Sequence, residues 1–290
     1  MRSVRFIVRC AVIAVLVAAA CGSPAGADNR LGEWWEVDGP AAGAPAVFGA
    51  FSLGCVSGGA ALALNGPGYQ VMRPSRERYY GHPTMVRFVQ SLARTVAAAG
   101  WSDLLIGDMA QPRGGPMQTG HQSHQTGLDV DIWFLAAPAP VLSMNERESL
   151  SAVSMLDDSG WRTGDRFTAR EKDILRRAAQ TPDVRRIFVH PAIKQTLCET
   201  AGTDRDWLAK IRPWWGHHYH FHVRLHCPDG DAACVDQPPP GAGDGCDDTL
   251  AWWFSDEARQ QAEAMAKAPK TRTPIPLDAL PAQCRAVLAR

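Results

Sequence analysis

The chain has 290 residues, of which 46% are hydrophobic and 21% charged, and its formal net charge is zero. Such a composition excludes disorder, a collagen-like repeat and a polytopic membrane protein, and the length suits one large domain or two small ones. Without a basic surplus there is nothing to neutralise a nucleic-acid backbone.

Residues 1–27 read as an export signal. Arg2, Arg5 and Arg9 form a positive start, Cys10 to Ala20 is uncharged and apolar, and the small residues Ala25-Gly26-Ala27 precede Asp28. The apolar run is too short to span a bilayer, and cleavage after Ala27 is expected. A second reading of the same segment is a lipoprotein signal with Cys21 acylated. Loss of the three arginines leaves 27 Lys and Arg against 30 Asp and Glu, a mature charge near −3.

The mature chain, 28–290, reads as a single domain, with a C-terminal extension from about residue 256. Residues 28–70 alternate short apolar runs with Gly and Pro, as loops and short strands do. His82-Pro83 opens an amphipathic helix carrying Met85, Phe88, Val89, Leu92 and Val96 and stopping at Gly100. Asp103 to Gly107 is a buried-strand candidate. Thr168-Ala169-Arg170-Glu171 is a capping box, opening a helix through about Gln180. A strand at Arg186–Val189, a short helix at Pro191–Thr200 and an alternating strand at His218–Leu225 follow. A Pro/Gly/Asp loop at 236–247 precedes a helix at about 249–267. Short strands interleaved with a few helices indicate α+β architecture.

Beyond Cys10 and Cys21 lie Cys55, Cys198, Cys227, Cys234, Cys246 and Cys284. An even number in an exported chain points to disulfides, and the absence of a C-x2-C pair weighs against a zinc cluster. Spacing singles out only Cys227–Cys234 as a local bridge.

Histidine placement carries the chemistry. The run Gly120-His121-Gln122-Ser123-His124-Gln125-Thr126-Gly127-Leu128-Asp129-Val130-Asp131 ends in apolar–acidic alternation. On a strand, Leu128, Val130 and Ile132 face a core while Asp129 and Asp131 share the other face. A carboxylate and imidazoles there can ligate zinc, and a hydrogen-bonded turn is the plainer alternative. In the second cluster, Trp214 to Arg224, the side chains of His218, His220, His222 and Arg224 share one face. Tyr219, Phe221, Val223 and Leu225 share the other. Same-face side chains lie about 6.5–7 Å apart, so one His can ligate a metal while the next addresses its water. Three protein ligands with a fourth position left for water make a catalytic zinc arrangement. Zinc would bring the pKa of water from about 15.7 to about 7 and polarise a scissile carbonyl, with a nearby His taking the proton.

This H-x6-D plus H-x-H pattern resembles the zinc metallopeptidase group of lysostaphin, the D-alanyl-D-alanine peptidases and the hedgehog domain. Within it, the chain is most similar to the penicillin-insensitive murein endopeptidases. The resemblance rests on Tyr69 to Arg76, Tyr80-Gly81-His82-Pro83, Ile106-Gly107-Asp108-Met109, Gly120 to Asp131, Ile187 to Gln195, Ala201 to Leu208, Arg212-Pro213-Trp214 and His220 to Arg224. It implies one zinc ion on His124, Asp131 and His222, with His121 at the same centre. It implies His220 as the base or transition-state stabiliser, with His217 as a second active-site histidine. The implied bridges are Cys55–Cys284, Cys198–Cys246 and Cys227–Cys234. The implied reaction is hydrolysis of the D-alanyl–meso-diaminopimelyl cross-link of peptidoglycan by a periplasmic enzyme. The implied partner is cross-linked peptidoglycan, with no nucleic acid and no transmembrane segment in the mature chain.

The architecture expected is a small antiparallel sheet bearing the zinc site, surrounded by helices and long disulfide-linked loops. The sequence departs from the family at Asp158-Ser159-Gly160-Trp161, where Trp161 replaces a histidine of a proposed second metal site. Arg73, Arg76 and Arg78 are candidates to bind stem carboxylates or to form loop ion pairs. Of these, Arg73 and Arg76 are taken as the substrate-binding pair. A D,D-carboxypeptidase and a non-catalytic zinc-dependent peptidoglycan-binding module are the alternative functions.

Overall fold

A computed structural model describes residues 34–138, 141–267 and 275–290. The expected signal segment, with Cys10 and Cys21, lies outside the described residues. The chain starts with short strands: β1 (Ala46–Ala50), β2 (Leu53–Ser57), β3 (Ala60–Ala61), β4 (Asn65–Gly66), β5 (Tyr69–Val71) and β6 (Tyr80–Gly81). Then come α1 (Pro83–Ala98), β7 (Leu104–Ile106), β8 (Asp129–Trp133), α2 (Met144–Ser149) and α3 (Ala169–Gln180). They are followed by β9 (Val184–Val189), α4 (Pro191–Thr200), β10 (Ile211–Pro213) and β11 (His220–Leu225). The chain closes with α5 (Asp248–Ala251), α6 (Asp256–Lys267) and α7 (Ala282–Ala289). Among the described residues no helix is long and apolar enough to cross a membrane.

Seven strands form the main sheet, in the order β10-β9-β11-β8-β7-β5-β4. The strands from β9 to β7 pair antiparallel, and parallel pairs, β10 on β9 and β5 on β7, extend this centre on both sides. The fold is therefore α+β, with antiparallel pairing where the histidines lie.

Local chemistry explains the elements. α1 begins at His82, whose Nδ1 accepts from the Thr84 backbone N–H at 3.2 Å, with Pro83 in the first turn. Its buried stripe, Met85, Phe88, Val89, Leu92, Ala93 and Val96, has the spacing of one helix face. Burying each large apolar side chain contributes about 1.5–3 kcal/mol. α4 repeats the device: His190 Nδ1 accepts from Ala192 N–H at 3.3 Å ahead of Pro191. The expected capping box at Thr168 forms reciprocally with Glu171.

The sheet packs Val130, Ile132, Phe221, Val223 and Leu225 into the main core together with α1, α3 and α4. Its other face carries the acids and histidines under the loops. Every residue of β8 and β11 is buried.

Three local expectations are corrected. The helix expected over 249–267 is broken into α5, a 3-10 turn at Trp252–Phe254, and α6. Extended Ser255 separates the last two, and its hydroxyl accepts from Ala258 N–H at 3.2 Å. The strand expected from His218 starts at His220. The His218 carbonyl is taken by Met155 N–H and its ring lies 3.0 Å from the Ser154 hydroxyl, so the residue belongs to the loop. Tyr219, expected in the core, is exposed.

All three expected disulfides are present: Cys55–Cys284, Cys198–Cys246 and Cys227–Cys234. The first ties α7 to β2, where Val287, Leu288 and Leu280 enclose Trp34 in a separate small core.

Candidate metal centre and active site

The two histidine clusters meet on the polar face of the central strands. β8 and β11 pair with Asp131 opposite His222 and Asp129 opposite Arg224. The loop before β8 reaches back over this face through left-handed residues: Gly120 (φ 88°), His124 (φ 70°) and Gly127 (φ 69°). A Cβ on Gly127 would lie 2.7 Å from the His82 nitrogen, so only glycine lets the loop pass the start of α1. A non-glycine residue at positive φ is uncommon, and here it is the one that delivers the most deeply buried imidazole.

Donor atoms of His121, His124 and Asp131 all lie within 4.8 Å of one another. The His121 and His124 rings are 4.2 Å apart between centroids. His222 joins at the edge, its Nδ1 3.0 Å from Asp131 Oδ1 and its ring 4.7 Å from that of His124. Both ring nitrogens of His124, and Asp131 Oδ1, are buried without a hydrogen bond. The contacts on that oxygen, 3.4 Å from His124 Nε2 and 3.0 Å from His222 Nδ1, are short but lack hydrogen-bond direction. A buried polar atom left unpaired costs about 1–3 kcal/mol. Several that converge on one point fit a cation, and a mixed histidine–carboxylate set is the ligand chemistry of zinc.

Asp129 was visible in the sequence only as the companion of Asp131. Fully buried, it organises the centre: Oδ1 is 2.7 Å from His222 Nε2 and accepts from Arg224 Nε at 2.7 Å. Its Oδ2 accepts from the His124 backbone N–H at 3.1 Å. With Nε2 committed to Asp129, His222 turns Nδ1 toward Asp131. Burial pushes the Asp129 carboxyl up, but Arg224 and His222 hold it well below the usual carboxylate range. Burial would lower His222, yet Asp129 and Asp131 raise it above its ordinary value.

Asp108 plays a parallel part for His121. It lies 3.1 Å from His121 Nε2 and accepts from Arg78 at 3.0 Å and Arg76 at 3.3 Å. Burial works against its ionised form, but His121 and the two arginines keep it well below the usual range. The alternation of Asp129 with Asp131 could have flagged the first supporting acid. Nothing local marks Asp108, because its partners come from two other segments, Arg76 with Arg78 and His121.

His220 and His217 flank the centre. His220 Nε2 is 3.5 Å from Asp131 Oδ2, and the rings of His217 and His220 are 4.9 Å apart. His217 Nδ1 lies 2.9 Å from the Trp215 carbonyl. A carbonyl only accepts, so Nδ1 carries the proton and Nε2 is the basic nitrogen. Burial, reinforced by His220 and His222, pushes His217 down to about 3. Burial likewise takes His220 down to about 4, against the pull of Asp131. Both rings are therefore neutral at pH 7.

Two clefts open on either side of His121 and His217. One, of about 480 Å³, is walled by Arg76, Arg78, Tyr219 and His220. The other, of about 650 Å³, runs past His222 to Phe188, Trp214 and Trp253. Arg76 thus reaches the first cleft while bound to Asp108, whereas Arg73 donates to the Leu150 carbonyl at 2.9 Å. Trp214 is 48% exposed in the second cleft, and Trp215 is buried. Trp161 packs edge-on to Trp215, with Arg259 lying over its ring at 4.6 Å.

The sequence model of the penicillin-insensitive murein endopeptidases matches residues 47–289. A protein of that name from Klebsiella pneumoniae is 43% identical over 256 residues, covering 88% of this chain and 90% of the relative. Its namesake from Pectobacterium atrosepticum is 42% identical over 258 residues, covering 89% of each chain. One from Haemophilus influenzae is 42% identical over 252 residues, covering 84% and 85%. A family match over 47–289, a span that includes both histidine clusters, together with identity at this level over most of the chain, is decisive: the chain belongs to the penicillin-insensitive murein endopeptidase family.

Proposed function

We propose that the protein is an exported, zinc-dependent murein endopeptidase that hydrolyses the D-alanyl–meso-diaminopimelyl cross-link of peptidoglycan. The observation that carries this reading is the pairing of unsatisfied buried ligand atoms on His124 and Asp131 with two clefts that both reach the neighbouring His121 and His217. A cross-link has peptide extending in both directions from the bond to be cut, and so needs both clefts. A terminal residue needs one.

In this reading His124, Asp131 and His222 hold one zinc ion, with His121 as a fourth donor at the same centre. When bound, zinc supplies Lewis acidity at the scissile carbonyl and a lowered pKa for water, to about 7. His217 Nε2 and His220 are the neutral bases available to take the attacking water's proton and return it to the leaving amine. Asp129 and Asp108 keep His222 and His121 in orientation, as carboxylates behind metal-binding histidines do. The reading assigns residues 1–27 to a cleaved signal, with acylation at Cys21 as its variant, and the rest to one periplasmic domain. The tail beyond about residue 256 would be an extension held by Cys284. Trp161 leaves no donor for a second ion at the position the family pattern marks.

The test is incubation with purified cross-linked dimeric muropeptides, followed by mass spectrometry, with and without a chelator. Chelator-sensitive conversion to monomers is expected. Loss of terminal alanine alone would replace the reading with a D,D-carboxypeptidase, and binding without products would replace it with a recognition module. A His220→Ala variant of full activity would overturn that residue's role.

A further inference from the structure

The wider cleft contains a feature that the hydrolytic reading does not use. Asp131, His222, Phe188 and Arg212 form one row across β8, β11, β9 and β10, each in register with the next. The adjacent row is Asp129, Arg224 and Arg186. Residues in register point the same way, so Arg186 and Arg212 share the face of the metal centre. With strands spaced about 4.8 Å apart, the Cα of Arg212 lies about 10 Å from that of His222. The Arg186 and Arg224 guanidiniums sit 5.9 and 5.5 Å from the Phe188 ring.

The charges in this patch are unequally matched. Arg224 is spoken for by Asp129, and Arg185, on the opposite side of β9, by Asp236. Among the described residues Arg186 and Arg212 make no ion pair. Arg186 donates only to the Pro238 carbonyl, and its Nε is buried without a partner. Burial, together with Arg212, Arg224 and Arg185, disfavours its charged form. Arg212 occupies space that a side chain at position 245 would fill: a Cβ on Gly245 would lie 2.6 Å from its Nη1. Two neighbouring guanidiniums held against repulsion in an open cleft are a receptor for an anion, and their fork suits a carboxylate.

We propose that Arg186 and Arg212 form an anchoring site for a free carboxylate of the peptide stem, on a residue set back from the bond that is cut. The proposal rests on the murein endopeptidase reading and extends it. The stem lies along the groove between Trp214 and Trp253 and the metal centre, and the arginine pair fixes its register. The two residues position substrate and take no part in proton transfer, so they govern KM rather than kcat.

The zinc-loaded wild type, Arg186→Gln/Arg212→Gln and Arg186→Lys/Arg212→Lys are compared on two substrates. One is a cross-linked muropeptide dimer with free carboxylates, and the other is the same dimer with its carboxylates amidated. The Gln pair raises KM for the free dimer about 10–100-fold, the range for a lost charge-assisted contact, with kcat within about twofold. The Lys pair recovers part of the loss, and all three proteins treat the amidated dimer alike. Unchanged KM in the Gln pair, or an equal loss on both dimers, overturns the proposal. If the wild type cuts neither dimer, the hydrolytic reading fails and the anchor is still tested by titrating tryptophan fluorescence with each dimer. Weaker binding by the Gln pair for the free dimer alone sustains the anchor. Equal affinities, or no binding by the wild type, remove it.

Discussion

Asp129→Asn changes one atom type at the hub of the site. Asp129 Oδ1 serves both His222 and Arg224 at 2.7 Å, and Oδ2 serves the His124 N–H at 3.1 Å. An asparagine can keep its oxygen on one side only. With that oxygen toward His222 and Arg224, the amide N–H2 faces the His124 N–H, donor against donor. A buried backbone donor is then left unpaired, at about 1–3 kcal/mol, and the buried Arg224 loses its counter-charge. Removing one partner of a buried ion pair costs about 3–5 kcal/mol, and the two losses overlap, so about 3–5 kcal/mol is expected in total. The consequence for the metal is larger than for the fold, because a neutral amide oxygen holds the His222 Nε2–H less firmly than a carboxylate and so weakens the preference for the orientation that presents Nδ1 to Asp131. Zinc affinity should fall about 10–100-fold. Competition against a chromophoric chelator measures the affinity, and denaturant melts of the zinc-free protein measure the fold separately. An Asp129→Asn protein with affinity within twofold of wild type would show that Asp129 does not orient the ligand set.

The remaining predictions concern the scaffold. Replacing Cys55 and Cys284 by Ala opens a sequence separation of 229, worth about 5 kcal/mol by loop closure. The separation of 7 between Cys227 and Cys234 is worth about 2.5 kcal/mol. The guanidinium midpoint should therefore drop further in the first variant than in the second, and the reverse order would contradict it. Arg147 is buried and donates to the carbonyls of Leu142 at 3.0 Å and Leu64 at 2.6 Å and to the Asn65 side chain. Arg147→Met leaves these acceptors dry and should cost about 3–5 kcal/mol in urea unfolding, while zinc affinity stays at the wild-type value. Burial pushes His190 from its ordinary 6.5 down to about 4. Unfolding therefore takes up a proton between these values, and stability falls by about 3 kcal/mol as pH drops from 6.5 to 4. His190→Asn, which can still cap α4, should make the melting profile shallower across that window, with His217 and His220 supplying the slope that stays. An unchanged slope would count against a buried neutral imidazole.

Much of the site was legible in the sequence because its signals are local. Periodicity two at 128–132 and 220–225 put the acids and histidines on one face, and the structure keeps them there. The His-Pro starts, the capping box and the glycine after α1 mark helix ends through contacts reaching only three or four residues. The break at Ser255 was missed, although a serine followed by Asp256 and Glu257 is a local helix-start signal. The pairing of Cys55 with Cys284 followed from family resemblance and not from spacing.

The sequence by itself determined which residues could bind a metal and take a proton, because those properties belong to side-chain types and short-range spacing. Only the tertiary structure decided how they act together. The approach of the His121–His124 loop to β11, the commitment of Asp129 to His222, and the choice of Asp108 as partner for His121 all join distant segments. So does the difference, within the wider cleft, between Arg224, which has a carboxylate partner, and Arg186 and Arg212, which have none among the described residues. Each depends on strand register and on burial, which exist only once the chain has closed.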